Sequence, residues 1–406
     1  MTEPWLAIIG IGDDGLAGLS GAARALIENA ELIVGGERHL ALVPVGKEIR
    51  HCWDSPLAKS VARIAEWRGR RVAVLASGDP LCYGVGVTLA RHFDRAEMIV
   101  LPQPSAFSLA AARLAWPLAD CETVTLHGRP LASLALHLAP GQRILALSED
   151  GGTPAAIAAL MCDAGWAPSL LTVLEHIGGR HENLIASPAA AWGARRCADL
   201  NTVAIECRAG PDARPLSRTA GLPDEAFLND GQLTKREVRA ATLAALAPLS
   251  GQLLWDVGAG CGAIAIEWLR ATRRSRVIAI EREGARCALI ARNAASLGVP
   301  DLRIVAGEAP AALADLPRPD AVFLGGGICT AGLLDMLWDA LAPGGRLVAN
   351  AVTVAGEARL LAWHAQHGGA LVRLAISRAA PIGSHLAWRP LMPVTQLAAV
   401  KPSDAT

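Results

Sequence analysis

The chain has 406 residues, which predicts two or three domains at about 150 residues each. Hydrophobic residues make up 52% of the sequence, and 38 basic residues balance 38 acidic ones. This balance argues against a protein that coats nucleic acid, and the lack of any apolar run of about 18 residues argues against a membrane-spanning one.

The first half of the chain alternates short β-branched runs with stretches rich in Ala and Leu. Ser20 is a good N-cap for a helix that follows it. The predicted strands are residues 6–10, 32–34, 72–76, 98–101 and 144–147. Alternation of strands and helices is typical of a parallel sheet covered by helices, so we expect an α/β fold here.

Four short motifs follow strands of this half. They read GIGDDG from Gly10, SGDPLCYG from Ser77, PQPSAF from Pro102 and LHGR from Leu126. Glycine after a strand permits close approach of a ligand to the backbone at the edge where parallel sheets bind ligands. In this order and spacing, the motifs resemble the tetrapyrrole methylase family, which has the class III methyltransferase fold. The family's Gly-Pro-Gly is replaced here by GDDG from Gly12.

That resemblance implies a site for S-adenosylmethionine. It places the following residues around the cofactor: Gly78, Asp79, Cys82, Ser105 and Ala106. It places His127 and Arg129 towards a macrocyclic substrate, because the family's known substrates are mostly derived from uroporphyrinogen. A His-Gly-Arg segment is more often an ordinary loop than a catalytic base, so both interpretations of His127 stay open.

A stretch rich in Pro, Gly, Asp and Arg separates the two halves. It spans residues 208–234 and has weak periodicity, which predicts a linker followed by a docking arm. We therefore expect one domain over residues 1–210 and a second over residues 211–406. Their glycine motifs differ, which indicates a fusion of two unlike domains.

The second half also alternates strands and helices. The predicted strands are residues 253–257, 277–280, 302–305, 321–324 and 347–350. The first of them contains Asp256 and runs into a loop with glycine at positions 258, 260 and 262. Nineteen residues separate Gly262 from Glu281, about the distance at which a carboxylate on the second strand accepts hydrogen bonds from ribose hydroxyls.

Two cofactors fit this pattern of a strand, a glycine loop and a carboxylate on the second strand. Gly258, Gly260 and Ala263 satisfy a loose dinucleotide pattern, so an NAD(P)-dependent oxidoreductase is the alternative. Asp256 would repel a pyrophosphate and attract an α-amino group, which favours a class I S-adenosylmethionine-dependent methyltransferase with a Rossmann-like domain. An RNA methyltransferase and a non-catalytic scaffold are weaker hypotheses, the former because basic runs are missing.

Further motifs narrow the family. They read GLPDEAF from Gly221, LTKREVR from Leu233, GEAP from Gly307, DAVFLGGG from Asp320 and NAVT from Asn350. In this order they resemble the small decarboxylating precorrin methyltransferases of cobalamin synthesis, over essentially all of the second half. The three glycines from Gly325 stand where amino-group methyltransferases carry a D/N-P-P-Y motif.

The second resemblance implies a cofactor site in this half. It places the methionine part of S-adenosylmethionine on Gly258, Ala259, Gly260, Cys261 and Gly262, and we expect Asp256 to attract its α-amino group. It places the ribose on Glu281, the adenine between Glu308 and Ala309, and Thr234 over the site. Thr234 also suits the N-cap of a helix at Lys235, with Glu237 completing a capping box, and both roles stay open.

Together, the two resemblances imply a bifunctional enzyme that methylates carbons 5 and 15 of a precorrin and decarboxylates the ring C acetate. The first half would serve carbon 5, and the second would serve carbon 15 and the decarboxylation. Arginines are expected to bind the substrate carboxylates, because a guanidinium binds them bidentately. The candidates for carboxylate binding are Arg129, Lys235, Arg236 and Arg239.

Nine cysteines without a C-x-x-C pair predict reduced thiols in a cytoplasmic protein. His364 and His367 lack a Cys or carboxylate partner in the sequence, so we expect no metal. We expect a small-molecule tetrapyrrole as the partner, with neither nucleic acid nor a membrane. Because both families commonly self-associate, we also expect a homo-oligomer.

Overall fold

A computed structural model describes residues 4–403 and divides them into two compact units. The first unit contains the described residues up to Leu131 together with Ala139–Arg214. The second contains Ala132–Leu138 and the described residues from Pro215 onwards. Within the described residues, no helix has the length and apolar character needed to cross a membrane.

The first unit contains a five-stranded, fully parallel sheet in the order β3-β2-β4-β1-β5. Its strands are β1 (Leu6–Ile11), β2 (Leu32–Gly35), β3 (Ile49–Cys52), β4 (Val72–Ser77) and β5 (Met98–Leu101). The helices between them are α1 (Gly21–Glu28), α2 (Glu37–Ala41), α3 (Ala58–Ala65) and α4 (Gly86–Leu89). Ser20 caps α1 as predicted, because its side chain accepts the Ala23 N–H. Every residue of β1 is buried, as expected for a strand covered on both faces.

The second sheet of this unit is mixed, in the order β6-β7-β10-β8-β9. Its strands are β6 (Cys121–Thr125), β7 (Arg143–Leu147), β8 (Leu170–Glu175), β9 (Asn183–Pro188) and β10 (Asn201–Glu206), and its helices are α5 (Ala106–Leu114) and α6 (Thr153–Asp163). Only β6 and β7 are parallel. The prediction of a parallel sheet for residues 144–147 is therefore confirmed on the β6 side and wrong on the β10 side. The segments joining β8 to β9 and β9 to β10 contain no α-helix, whereas a parallel crossover usually contains one.

The second unit is built on a seven-stranded sheet in the order β13-β12-β11-β14-β15-β19-β16, in which β19 is antiparallel to both its neighbours. The strands are β11 (Leu253–Val257), β12 (Arg276–Glu281), β13 (Arg303–Ala306), β14 (Ala321–Leu324), β15 (Arg346–Ala351), β16 (Ala370–Leu374), β17 (Ser377–Ile382), β18 (His385–Pro390) and β19 (Val394–Val400). Strands β17 and β18 form a separate hairpin.

Five helices accompany this sheet: α7 (Arg236–Leu246), α8 (Ala263–Ala271), α9 (Gly284–Ser296), α10 (Leu333–Ala340) and α11 (Val354–His367). The chain runs from β11 outwards to β13 on one side and then returns to β14 and β15 on the other. Strand order thus reverses between β11 and β14. In open α/β sheets, ligands bind in the crevice at such a reversal, beyond the carboxyl ends of the strands.

Candidate active sites

In the first unit, the loops after β1, β4 and β5 meet through bare backbone. Gly78 donates its N–H to the Ile11 carbonyl (3.2 Å) and accepts the Gln103 N–H (3.1 Å). A Cβ added to Gly10 would lie 1.8 Å from the Gly78 oxygen, and one added to Gly78 would lie 2.9 Å from the Pro104 oxygen. Gly78 also has a φ of +52°. These two positions therefore require glycine.

The structure brings the predicted cofactor residues of this unit to the same edge. Asp79 accepts the Leu81 N–H (2.9 Å), which shapes the turn after β4. Ser105 caps α5 by accepting the Ser108 N–H (3.1 Å), and Ala106 is the first residue of that helix. Cys82 packs against Phe107, and burial raises the pKa of its thiol. Asp79 and Ser105 thus have structural roles here, and their contact with a cofactor stays a prediction.

A polar cluster that no sequence motif indicated lies at this edge. Asp13 lies 3.1 Å from Arg38 and 3.3 Å from His176, and Arg38 and His39 both contact the Ser77 hydroxyl, at 3.0 and 2.9 Å. Burial, followed by the Arg38 charge, lowers the pKa of His39 to about 4, so this imidazole is neutral near pH 7. All five residues lie at or shortly after the end of a strand, which is the signal that was available in the sequence.

The LHGR segment lies at the carboxyl end of β6. His127 is exposed and its Nδ1 is 3.2 Å from Glu149, a residue that the sequence analysis did not select. Arg129 lines a cavity of about 390 Å³ together with Gly128, Glu149 and Thr153. Within residues 4–403, Arg129 forms no ion pair. Its guanidinium is therefore available to an anionic group that enters this cavity.

In the second unit, the loop after β11 lies against the loop after β14. Gly258 and Ala259 donate their N–H groups to the Ile280 carbonyl, at 2.9 and 3.1 Å. A Cβ on Gly258, where φ is +72°, would lie 2.7 Å from the backbone of Gly326. At Gly260, by contrast, the nearest atom to an added Cβ is 3.8 Å away. The loop thus presents open space above bare backbone beside Gly260.

Glu281 closes this loop from the end of β12. It is buried, its Oε2 accepts the Gly260 N–H (2.8 Å), and its Oε1 accepts the Glu283 N–H (3.0 Å). The carboxylate is therefore fixed next to the open space, where the remaining lone pairs of its oxygens can accept ribose hydroxyls. This geometry fits the predicted role of Glu281.

Asp256 lies inside β11 and is 1% exposed. Its Oδ2 accepts the Ala265 N–H of α8 (3.0 Å), whereas its Oδ1 has no hydrogen-bond partner within residues 4–403. Burial, together with the nearby negative charge of Glu281, raises its pKa to about 7, against one backbone hydrogen bond that lowers it. An orphaned acceptor of this kind fits an ammonium group, but contact with the cofactor stays a prediction.

The arm before α7 is held by a buried arginine. Arg239 is 0% exposed, donates to Glu267 (2.5 Å) and Asp224 (3.2 Å), and also donates to the carbonyls of Leu222 and Thr234. Glu267 in turn accepts the N–H of Leu222 (3.0 Å). The prediction that Arg239 faces the substrate was wrong, because every hydrogen-bonding nitrogen of its guanidinium is used to hold the arm.

The capping role suggested for Thr234 was also wrong. Helix α7 begins at Arg236 with Lys235 as its N-cap, and no side chain caps it. Glu237 instead pairs with Arg378 at 2.6 Å. Thr234 and Lys235 are half-buried and Arg236 is exposed at this end of α7. Their ligand roles stay predictions.

The remaining predicted residues surround the glycine loop. Glu308 is exposed and lies 3.2 Å from Arg282, and Ala309 is half-buried against the core beneath the sheet. Cys261 is buried, and burial raises the pKa of its thiol to about 11. Asn293, which no sequence motif singled out, donates to the carbonyls of Cys261 (2.9 Å) and Leu228 (2.8 Å). Asn293 thus ties the arm to the glycine loop.

Both units carry glycine backbone at the carboxyl edge of a parallel array of strands, the edge at which such sheets bind ligands. Residues 6–191 match the family model "Tetrapyrrole (Corrin/Porphyrin) Methylases", and residues 225–401 match the "Precorrin methyltransferase domain". Fold and sites thus define a methyltransferase with two unlike domains.

More specifically, the chain belongs to the precorrin-6Y C(5,15)-methyltransferase (decarboxylating) family. It is 51% identical to a protein of that name from Sinorhizobium sp over 399 residues, which cover 98% of this chain and 96% of the relative. The oxidoreductase alternative is not supported, because this family transfers methyl groups.

Two shorter relatives from Salmonella typhimurium each match about half of the chain. A cobalt-precorrin-7 C(5)-methyltransferase is 28% identical over 202 residues, which cover 49% of this chain and 98% of that protein. A cobalt-precorrin-6B C(15)-methyltransferase (decarboxylating) is 36% identical over 188 residues, which cover 44% of this chain and 96% of that protein. In that organism, the two names belong to separate proteins.

Proposed function

We propose that this chain methylates carbons 5 and 15 of a precorrin in cobalamin biosynthesis, with S-adenosylmethionine as the donor, and decarboxylates the ring C acetate. The observation that carries the proposal is that one chain contains two unlike units, each with glycine backbone at the carboxyl edge of a sheet. The full-length likeness to the Sinorhizobium protein supports it. We assign residues 1–210 to the first domain and residues 211–406 to the second, a division supported by the boundary between Arg214 and Pro215.

Each unit would hold the cofactor on its own residues. In the first unit these are Gly78, Asp79, Cys82, Ser105 and Ala106. In the second they are Thr234, Asp256, Gly258, Ala259, Gly260, Cys261, Gly262, Glu281, Glu308 and Ala309. When bound, S-adenosylmethionine supplies a methyl group as an electrophile. The open backbone at Gly260 and the fixed carboxylate of Glu281 support this assignment most directly.

The two reactions divide between the units. The second unit carries motifs that resemble decarboxylating precorrin methyltransferases, and the Salmonella relative whose name includes decarboxylation is a C(15)-methyltransferase. We therefore assign carbon 15 and the decarboxylation to the second unit, and carbon 5 to the first. The likeness of the first half to the C(5)-methyltransferase of Salmonella supports the assignment of carbon 5 to the first unit.

The residues of this chain mainly bind, orient and shield the reactants. Alignment of donor and acceptor can lower a barrier by about 7–11 kcal/mol. Arg129 in the first unit, and Lys235 and Arg236 in the second, would bind substrate carboxylates. Loss of carbon dioxide leaves an electron pair that the conjugated macrocycle can absorb, and a proton then replaces the carboxyl group on the side chain. The nine free cysteines support a reducing compartment such as the cytoplasm.

The test is to incubate the full chain with isotope-labelled S-adenosylmethionine and the precorrin, and to analyse the product by mass spectrometry and NMR. We expect two labelled methyl groups, at carbons 5 and 15, and the loss of one carbon dioxide. A product with one methyl group, or one that keeps the acetate, would contradict the proposal.

Calorimetry tests the two cofactor sites separately. We expect two sites per chain, and we expect Glu281→Ala to weaken only one of them by roughly tenfold or more, since it removes charge-assisted hydrogen bonds. The matched control is Glu283→Ala, because Glu283 is the exposed carboxylate two residues further on. Loss of affinity at both sites, or at neither, would show that Glu281 is not a ligand of one site.

A further inference from the structure

Glu149 meets His127 because β6 and β7 are parallel and in register. Thr125 pairs with Leu147, and His127 and Glu149 each follow two residues later. Glu149 Oε2 lies 3.2 Å from His127 Nδ1 and also accepts the Gly128 N–H. The carboxylate is thus attached to the same loop that carries the imidazole.

The chain around Glu149 is itself held in place. The Thr153 hydroxyl at the start of α6 accepts the N–H groups of Glu149 and Asp150, both at 3.1 Å. Glu149, Thr153 and Arg129 line the cavity of about 390 Å³. An acid and an unpaired cation therefore border one cavity, with an exposed imidazole next to the acid.

The loop that would hold the methyl donor contacts the same pair of strands. Tyr83 of the SGDPLCYG motif donates its hydroxyl to the Thr123 carbonyl of β6 (3.4 Å). Cys82 packs against the core cluster that contains Leu145 of β7. The Gly78 loop and the carboxyl ends of β6 and β7 thus belong to one continuous part of the first unit.

Stability does not explain the pair. The side chains of His127 and Glu149 are 70% and 56% exposed, and exposed ion pairs contribute about 0–1 kcal/mol. His127 Nδ1 and Glu149 Oε2 lie at ion-pair distance, and a slight turn of the exposed ring lets Nδ1–H donate to the carboxylate. A hydrogen bond of this kind fixes the tautomer of a neutral imidazole and leaves the Nε2 lone pair free. This is the arrangement by which a carboxylate orients a histidine for proton transfer.

We propose that Glu149 is a positioning residue that holds His127 as the proton acceptor for the methylation at carbon 5. This inference rests on the proposed function. A macrocycle carbon gives its electron pair to the methyl group, the bond between that methyl group and its sulfur breaks, and the macrocycle gains one positive charge. His127 Nε2 then takes one proton from the macrocycle. Glu149 stabilises the resulting imidazolium until the proton passes to solvent.

The tautomer of His127 is measured first, without substrate, by ¹⁵N NMR of the full chain labelled at histidine. The His127→Ala variant identifies the signal. We expect the neutral ring in the native chain to be protonated at Nδ1, and Glu149→Gln to shift it towards the Nε2–H form. Unchanged tautomers in Glu149→Gln, or a native ring protonated at Nε2, would overturn the proposal.

The rate of methylation at carbon 5 is then compared with that at carbon 15 in the same full chain. We expect Glu149→Gln to lower kcat for carbon 5 by roughly 10- to 100-fold and to leave the KM for S-adenosylmethionine unchanged. Glu149→Asp should retain part of the carbon-5 kcat that Glu149→Gln loses. Added imidazole should restore carbon-5 methylation in His127→Ala. The control is Glu66→Gln, at an exposed carboxylate of the same unit. Normal carbon-5 methylation by Glu149→Gln would refute the role of Glu149 alone. Failure of the native chain to methylate carbon 5 would refute the proposed function and this role with it.

Discussion

Asp256 shows how a single buried acid is adapted to a strand-end crevice. Its carboxyl group is buried in β11, has one partner on α8 and carries an oxygen without a partner within residues 4–403. Burial makes the charged form costly, so the pKa rises to about 7. A group of this kind remains partly protonated at neutral pH until a cation approaches it.

This raised pKa predicts a pH-dependent stability difference for Asp256→Asn. Between pH about 4 and about 7, the folded native chain keeps a proton that the unfolded chain has lost, so its stability falls as pH rises through this window. Asn cannot ionise, so the variant lacks this loss. The free energy of unfolding of the variant minus that of the native chain should therefore increase by on the order of a few kcal/mol across this pH window.

Denaturant unfolding at a series of pH values measures that difference. Above pH about 7.5, both states of the native chain have ionised Asp256, so the two stability curves should run parallel, and this range serves as the internal control. A difference that stays constant from pH 4 to pH 7 would contradict the raised pKa.

Residues set by local backbone geometry were predictable from the sequence, and residues set by distant packing were not. Gly258 directly follows β11 and Glu281 ends β12, so their place at the carboxyl edge of the sheet could be read from the motif. The role of Arg239 depends on Glu267, which lies 28 residues further along the chain. A charged residue in an arm looks solvent-exposed until its buried partner is known, and the spacing of the motif does not reveal that partner.

At the scale of elements, the β17–β18 hairpin is attached to the arm before α7 by Arg378. This side chain donates to Asp224 (2.9 Å) and to Glu237 (2.6 and 3.2 Å). Hydrogen bonds from Arg378 lower the pKa of Glu237. For Asp224, burial raises the pKa, but the hydrogen bonds from Arg378 and Arg239 outweigh it, so the pKa is lowered. Both carboxylates therefore stay charged at neutral pH and hold the hairpin.

We expect Arg378→Ala to loosen the hairpin and the arm without unfolding the sheet. The ion pairs are partly exposed, so the local cost is about 1 kcal/mol after solvent screening, or roughly fivefold faster amide exchange in β17, β18 and around Asp224. Hydrogen exchange with mass spectrometry measures it. The matched control is Arg389→Ala, because Arg389 pairs with Arg378 across the hairpin and is exposed. Equally fast amide exchange in both variants would show that the loss of either arginine loosens the hairpin, which would contradict the specific role of Arg378.

Elements were predictable where strand and helix alternate, and less so elsewhere. All five predicted strands of the second half are present in β11–β15, because each contains a compact apolar run. Strands β16–β19 were not predicted. Along β17 and β18 the side chains are largely exposed, so no apolar pattern marks them. In the first unit, antiparallel pairing of β8, β9 and β10 depends on short connections that the strand pattern alone does not show.

At the scale of the whole molecule, the second unit includes a segment from the first half of the sequence. Ala132–Leu138 belongs to it, although this segment lies more than 70 residues before the rest of the unit. Leu134 is 0% exposed, and His137 Nδ1 lies 3.1 Å from Arg218. The sequence predicts one boundary near residue 210 and carries no signal for this segment, because the contacts that hold it are long-range.

Gly298 provides a test of this segment in the full chain. An added Cβ would lie 2.2 Å from the Leu136 nitrogen, so Gly298→Ala must displace the segment, and φ of +79° adds backbone strain. Gly251 has a similar φ of +85° but nothing within 4 Å of an added Cβ, so Gly251→Ala carries the strain alone. We expect Gly298→Ala to be the more destabilising by about 1–3 kcal/mol, the usual cost of overpacking, and to speed amide exchange selectively in residues 132–138. Equal destabilisation by the two variants, with unchanged exchange in that segment, would show that Ala132–Leu138 is not held by the second unit.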